Sequence, residues 1–392
     1  MEKEAVCRLI DELEPQMLAL WEHLTRWETP SADKERIDGL AAHLDTYFSA
    51  MGLASRIYKF ERAGASIAAC TEPGSLPPVV FSGHMDTVHP AGSFGSRLFE
   101  RDAAEPDKVY GPGIYDCKGG LAAAVLAVRA LQQAGYKKRQ LKLVFVGDEE
   151  VAHELSGGRT VDVFKKECSG AACAFNCESA LLSGGVVTGR KGGGTVRIAV
   201  HGVSAHSGRD PQLGASAIAE AARKIVRIEA LNAADYSGVL YNCGVVHGGT
   251  GSNVIPAFCQ FDVGLRFKSS GECEAALNKL RQICEDNKDK RVHAELQVAG
   301  MYQAMEKTAK TDELLWLYRS ACRSLGYDEP EELYSGGCSD ASFISQLGVP
   351  VLCCTGVRGA LNHTLQEYAL ASSMAEQAKK MAAAVLSLPD DF

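Results

Sequence analysis

Through the first half of the chain, short apolar runs alternate with segments whose composition suits a helix. The stretches "LPPVVFSG", "LKLVFVG" and "ACAFNC" have strand length and are bounded by turn residues, whereas "GGLAAAVLAVRALQQAG", between the first two, reads as a buried helix. Strand alternating with helix predicts a largely parallel α/β sheet with helices on its faces. Such sheets place ligands outside the carboxyl ends of their strands. From residue 189 the rhythm changes. After the glycine-rich, hinge-like "TGRKGGG" come strand "TVRIAVHG", helix "GASAIAEAARKIVRIEAL", strands "VLYNCGVVHGG" and "AFCQFDVGLRF", helix "ECEAALNKLRQICED" and strand "VHAELQVAG". This βαββαβ order is that of a ferredoxin-like unit. Past residue 300 the α/β rhythm returns with helix "TDELLWLYRSACRSLG", loop "SGGCSD", strand "VPVLCCTG" and the Ala-rich helix "EYALASSMAEQAKKMAAAVLSL". The expected fold is therefore a discontinuous α/β domain over 1–188 and 299–392, with a mixed, largely parallel sheet flanked by helices. Residues 189–298 form an inserted ferredoxin-like domain.

Composition narrows the function classes. The 392 residues and 46% hydrophobic content suit a globular protein with a sizeable core. A formal net charge of -8 argues against nucleic acid as a partner, because phosphate binding rests on clustered Lys and Arg. No apolar run is long enough to span a bilayer, and the acidic start "MEKEAVCRLIDELEPQM" lacks the basic and apolar regions of a secretory signal. The expectation is a cytoplasmic protein with no membrane partner. Its 14 cysteines show no CxxC framework, which suits buried thiols in a reducing compartment.

The candidate chemistry lies at strand ends. His84 and Asp86 close the first run, Asp116 sits in "GPGIYDCKGG", Glu149 and Glu150 in "GDEE", Glu178 in "NCESA", and His363 in "GALNHTLQE". Taken singly, each has a structural explanation: a satisfied histidine, a solvated acidic turn, a helix cap at Asp116. Their weight comes from falling at one edge of one sheet. Imidazoles and carboxylates together suit divalent zinc, cobalt or manganese without a thiolate. The donors exceed what one ion needs, which points to two ions, with Asp116 able to lend one oxygen to each. In the doublet Glu149–Glu150 one acid would coordinate while the other takes a proton from the attacking water. Asp86, two residues beyond His84, points to the same side and can hold the far imidazole N–H.

With these residues in place, the sequence resembles the M20 family of metallopeptidases, which includes glutamate carboxypeptidases, aminoacylases and desuccinylases. The matching segments run in order from "SGHMDTV" through "GPGIYDCKGG", "GDEE", "CESA", "GRKGG", "HGVSAHSG", "GSNVIP", "DVGLRF" and "GGCSDAS" to "GALNHTLQE". The resemblance implies that His84 and Glu178 ligate one metal, Glu150 and His363 the other, and Asp116 bridges them. Asp86 would orient His84, and Glu149 would be the general base. It further implies a cis peptide bond after Asp116, two divalent ions with zinc first, and an inserted domain that acts as a lid and pairs two chains into a homodimer. His206 would then reach the site, often from the other subunit, to hold the oxyanion, while Arg190, Asn253 and Arg266 take the polar groups of the substrate. Cys117 departs from the family pattern and is expected to point into the core; His89 also lies outside the pattern and is expected at the surface or behind the ligands. The implied activity is hydrolysis of a peptide or amide bond next to a free carboxylate, with a small peptide or N-acyl amino acid as substrate. N-acyl-amino-acid deacylation is the nearest alternative. A catalytically silent ligand-binding protein on the same scaffold and a thiol hydrolase using Cys117 or Cys338 are the contrasting classes.

Overall fold

The computed structural model describes residues 3–392, in two compact units. One runs to Gly189 and resumes over Lys307–Tyr334 and Ser339–Phe392; the other comprises Arg190–Glu306 with Ser335–Cys338.

The first unit is built on an eight-stranded mixed sheet. At its centre Arg139–Val146, Leu76–His84, Cys173–Asn176 and Val351–Cys353 lie side by side and parallel. Ala54–Tyr58 and Ser66–Cys70 add an antiparallel edge. The central strands are buried on both faces, which explains why they read as unbroken apolar runs and not as alternating ones. Helix Gly119–Gln133 crosses from Leu76–His84 to Arg139–Val146 and is buried nearly all round. A side chain at Gly120 would collide with the carbonyl of Cys177, so glycine there permits close packing on the sheet. Helices Lys3–Arg26 and Ser373–Ser387 pack against it, and Ala309–Ser324 packs on Ser373–Ser387 to complete the main core.

The Ala-rich C-terminal helix begins at Ser373 and not at Glu367. Tyr368–Leu370 instead forms a short strand, pairing with Lys108–Tyr110 and Gly359–Ala360. Helical spacing could not separate this piece, because what claims it is a partner strand more than 250 residues away in sequence, with Tyr368 packed against Tyr110.

The second unit has a four-stranded antiparallel sheet in the order Leu240–Gly248, Phe258–Phe267, Gly192–His201, His293–Tyr302. With helices Ala217–Glu229 and Ser270–Glu285 on one face, this is the ferredoxin-like arrangement. Serines cap both helices: Ser216 accepts from the amide of Ala219, and Ser269 from that of Glu272. The last strand continues to Tyr302, past residue 298 where the residue pattern ends the insert. The glycine run 192–194 is strand, not hinge. A Cβ at Gly192 would strike the Phe267 ring, and one at Gly194 the carbonyl of Gly300, so these glycines allow strands to approach.

Candidate metal centre

The site is assembled by loops leaving the carboxyl ends of the parallel strands. Leu76–His84 delivers His84, the turn after Arg139–Val146 carries Asp148, Glu149 and Glu150, and Glu178 follows Cys173–Asn176. Asp116 lies in the loop before helix Gly119–Gln133, and its peptide bond to Cys117 is cis. His363, with φ +61°, comes from the segment beyond Val351–Cys353.

Asp116 stands at the centre of the cluster. His84 Nε2 lies 3.2 Å from its Oδ1 and 3.8 Å from Glu178 Oε1. On the other side His363 Nε2 lies 3.4 Å from Asp116 Oδ2 and 3.3 Å from Glu150 Oε2. Donors on one tetrahedral zinc, with bonds near 2.0 Å, sit about 3.3 Å apart, so each half has the spacing of an ion's coordination shell. Asn362 Nδ2 donates to Asp116 Oδ2 at 2.9 Å.

Asp86 acts differently from the simple expectation. The near partner of His84 Nδ1 is the Asp86 main-chain carbonyl at 2.9 Å, with the carboxylate at 3.6 Å. That buried carboxylate accepts from the amides of Glu149 and Glu150, both at 3.1 Å, and from Ser31 Oγ at 2.7 Å. One residue therefore sets both, its main-chain carbonyl the imidazole and its carboxylate the acidic turn, because the two strand ends are neighbours in the sheet.

Glu367 is a residue the sequence reading passed over. Its carboxylate accepts from the amides of Tyr115 at 2.9 Å and Asp116 at 3.0 Å, and pairs with His89 Nε2 at 2.8 Å. It pins the Asp116 loop from below, and His89 is buried there as its partner. The one signal available was an acid four residues after His363, in a segment that read as helix.

The electrostatics favour a cation. Asp86, Asp116, Glu149, Glu150 and Glu178 converge with few positive groups among them. Burial, followed by the charge of Glu178, holds Glu149 well above the usual carboxylate range. Burial likewise raises Glu150, and contact with Asp116 and Glu150 raises His363 to about 10. A divalent ion at this place would compensate the same charge. Lys118 is fully buried, and burial lowers it to about 7. Cys117 is buried as expected, with Sγ 3.2 Å from the His84 amide; desolvation pushes its thiol far up, which leaves no thiolate for nucleophilic chemistry.

Behind the acidic turn lies a second buried cluster. His153, with φ +58°, sits between two carboxylates, Nδ1 3.0 Å from Asp148 Oδ1 and Nε2 2.6 Å from Asp340 Oδ1. Thr160 Oγ1 and the Ser156 amide also donate to Asp148. Next to Asp340, Ser339 Oγ reaches Glu178 Oε1 at 3.4 Å, so the cluster ties the loop carrying Glu149 and Glu150 to the loop that touches Glu178. A cavity of about 810 Å³ opens beside Glu150, walled by Pro30, Ala32, Val88, Pro90 and Val151.

The remaining predicted residues belong to the second unit. His206 is exposed, and its Nδ1 accepts from the amides of Gly208 and Arg209. Asn253 is exposed, and the exposed Arg266 donates to the Leu265 carbonyl at 2.9 Å. Arg190 is buried, and its Nη1 donates to the carbonyls of Gly337 and Cys338.

Fold and donor set together define a class: an α/β protein with an imidazole-and-carboxylate cation site at the carboxyl edge of its parallel strands. The chain belongs to peptidase family M20/M25/M40, whose family model matches residues 80–387. It is 26% identical over 360 residues to carboxypeptidase G2 of a Pseudomonas species, covering 90% of this chain and 84% of that one. Succinyl-diaminopimelate desuccinylase of Corynebacterium glutamicum is 28% identical over 230 residues, 57% of this chain and 60% of the relative. The crystal structure of aminopeptidase PepT from Bacillus cereus superposes with a TM-score of 0.74 at 20% identity, covering 95% of this chain and 98% of that chain. Family membership makes the protein an M20 hydrolase and implies divalent metal ions, usually zinc, which the donor chemistry at Asp116 fits.

Proposed function

We propose that the protein hydrolyses a peptide or amide bond next to a free carboxylate, in the manner of a glutamate carboxypeptidase, at a centre that holds two zinc ions. The observation that carries this reading is the single carboxylate of Asp116 with a different imidazole at each oxygen. His84 and Glu178 would hold one ion, His363 and Glu150 the other. When bound, the ions polarise the scissile carbonyl and make a water acidic enough to attack at neutral pH.

The chain's own groups do the rest. Glu149 takes a proton from the attacking water as the new C–O bond forms, then returns it to the departing nitrogen as the C–N bond breaks. His206 donates to the developing oxyanion. Arg266, with its guanidinium on the open side of its strand, and Asn253 take the substrate's carboxylate and polar groups. Arg190 shapes the 335–338 loop by binding its carbonyls. N-acyl-amino-acid deacylation is the second reading, supported by the similarity to a desuccinylase.

Dialysis against a chelator should abolish hydrolysis, and zinc should restore it; activity that survives metal removal would overturn the two-ion reading. A panel of N-blocked dipeptides set against N-acetyl and N-succinyl amino acids then decides the substrate. Faster turnover of the dipeptides with a C-terminal glutamate supports the carboxypeptidase reading, and preference for simple acyl groups replaces it with the second.

We further infer that the insert pairs two chains. Val245 and Val246 are exposed on the edge strand Leu240–Gly248, and Val226 is 68% exposed on the adjoining helix. Exposed apolar residues beside an unpaired strand edge are what a self-complementary interface would cover. Sedimentation should give twice the chain mass, and Val226→Lys together with Val246→Lys should return it to the mass of one chain.

A further inference from the structure

The insert carries a group of metal-capable side chains that the hydrolytic reading does not use. His201 closes the central strand Gly192–His201 and lies directly opposite His293, the first residue of the neighbouring edge strand. Their imidazoles stack with centroids 4.7 Å apart and planes 11° from parallel. Glu295, two residues along the edge strand and therefore on the same face, brings Oε1 to 3.7 Å from His293 Nε2. One donor atom from each of the three lies within 4.8 Å of the others.

The face is fixed by what the alternate residues do. Val196, Ile198 and Val200 are buried under the helices, and Ala294 and Leu296 pack against the same core. Residues 197, 199 and 201 with 293, 295 and 297 therefore occupy the uncovered face. The neighbouring charges there, Arg197 and Asp262, pair with each other at 3.0 Å and 3.2 Å. Among the described residues, the rings of His201 and His293 and the carboxylate of Glu295 make no hydrogen bonds. On the side away from His293, the His201 ring meets Phe258, centroids 5.4 Å apart, which limits its freedom to turn away.

We propose that His201, His293 and Glu295 form a second, separate cation site that takes one Zn²⁺. Two imidazoles and a carboxylate are a known zinc donor set, with a fourth position left for water. Each neutral imidazole has one in-plane lone pair to present to a dication. Donors on one zinc sit about 3.3 Å apart, so the two rings must tilt out of their stack to bring both in-plane lone pairs onto one ion, and the strands already supply the backbone register. The ion would staple the edge strand to the central strand where the chain leaves toward His206.

The test compares the zinc content of the whole protein, dialysed at a set free Zn²⁺ concentration, with that of His293→Ala and Glu295→Ala. Wild type should hold one equivalent more than His293→Ala. Glu295→Ala should bind that equivalent with affinity reduced beyond the about 10–100-fold that loss of an outer-shell partner costs. Peptide or amide hydrolysis should be unchanged in both, since neither residue belongs to the Asp116 centre. The difference between wild type and variant does not depend on how many ions that centre holds. Equal zinc content in wild type and His293→Ala overturns the site. Should His293→Ala fail to fold, Glu295→Ala, whose side chain is 71% exposed, carries the test alone, and zinc binding equal to wild type in that variant overturns it.

Discussion

Replacing Glu149 by glutamine is expected to lower kcat by about 10²–10⁴-fold, the usual contribution of a positioned acid–base group, with metal content and KM little changed. Glutamine keeps the shape of the side chain and can still donate or accept a hydrogen bond, but it cannot take a proton from water. Asp86 anchors the backbone of the Glu149–Glu150 turn through two amides, and this is independent of either side chain, so the turn should hold its position. A fall in kcat and kcat/KM together marks a group needed in the transition state and not in ground-state binding. The matched control is Glu150→Gln, whose wild-type carboxylate lies 3.3 Å from His363 Nε2 and should hold an ion. Metal analysis should find that variant depleted and Glu149→Gln fully loaded. If Glu149→Gln turns over normally, or if it is the variant that loses metal, the roles of the two acids must be reassigned.

The second large effect concerns stability. His153→Ala should destabilise the fold by about 3–5 kcal/mol, the cost of removing one partner from a buried ion pair, because Asp148 and Asp340 would both lose their counter-ion while remaining enclosed. Urea unfolding of wild type and variant measures this directly. The pH dependence carries a sign. Burial opposes protonation of His153, yet Asp340 and Asp148 outweigh it and hold the imidazole well above its ordinary value. A raised folded pKa means that the stabilisation is complete below the unfolded value of about 6.5 and is lost as pH climbs through the folded value. The gap between wild type and variant should therefore be widest in mild acid and narrow as the solution becomes alkaline. A gap that widens with pH would show that His153 is held neutral.

Much of the fold was legible because local rules and tertiary demands agree. The apolar runs ending at His84, Val146 and Asn176 could be read as buried parallel strands, since only a sheet covered on both faces tolerates them. Their order along the chain by itself places His84, Glu149, Glu150 and Glu178 at one edge. Tyr368–Leu370 was misread as helix because its alanine-rich surroundings carry helical propensity, and pairing with Lys108–Tyr110 overrides it. The glycine run at 192–194 was misread as a hinge because composition cannot distinguish freedom of the backbone from a need for close approach.

By itself, the sequence determined which side chains could meet: strand ends are set by hydrophobic pattern, and pattern is local. Only the tertiary structure decided what those side chains touch. That Asp86 holds the Glu149–Glu150 turn as well as His84, that Glu367 pins the Asp116 loop with His89, and that His153 is clamped between Asp148 and Asp340 all depend on contacts between loops far apart in the chain. Such contacts leave no periodic trace in one sequence, because a single hydrogen bond between distant loops asks only for one polar residue in each.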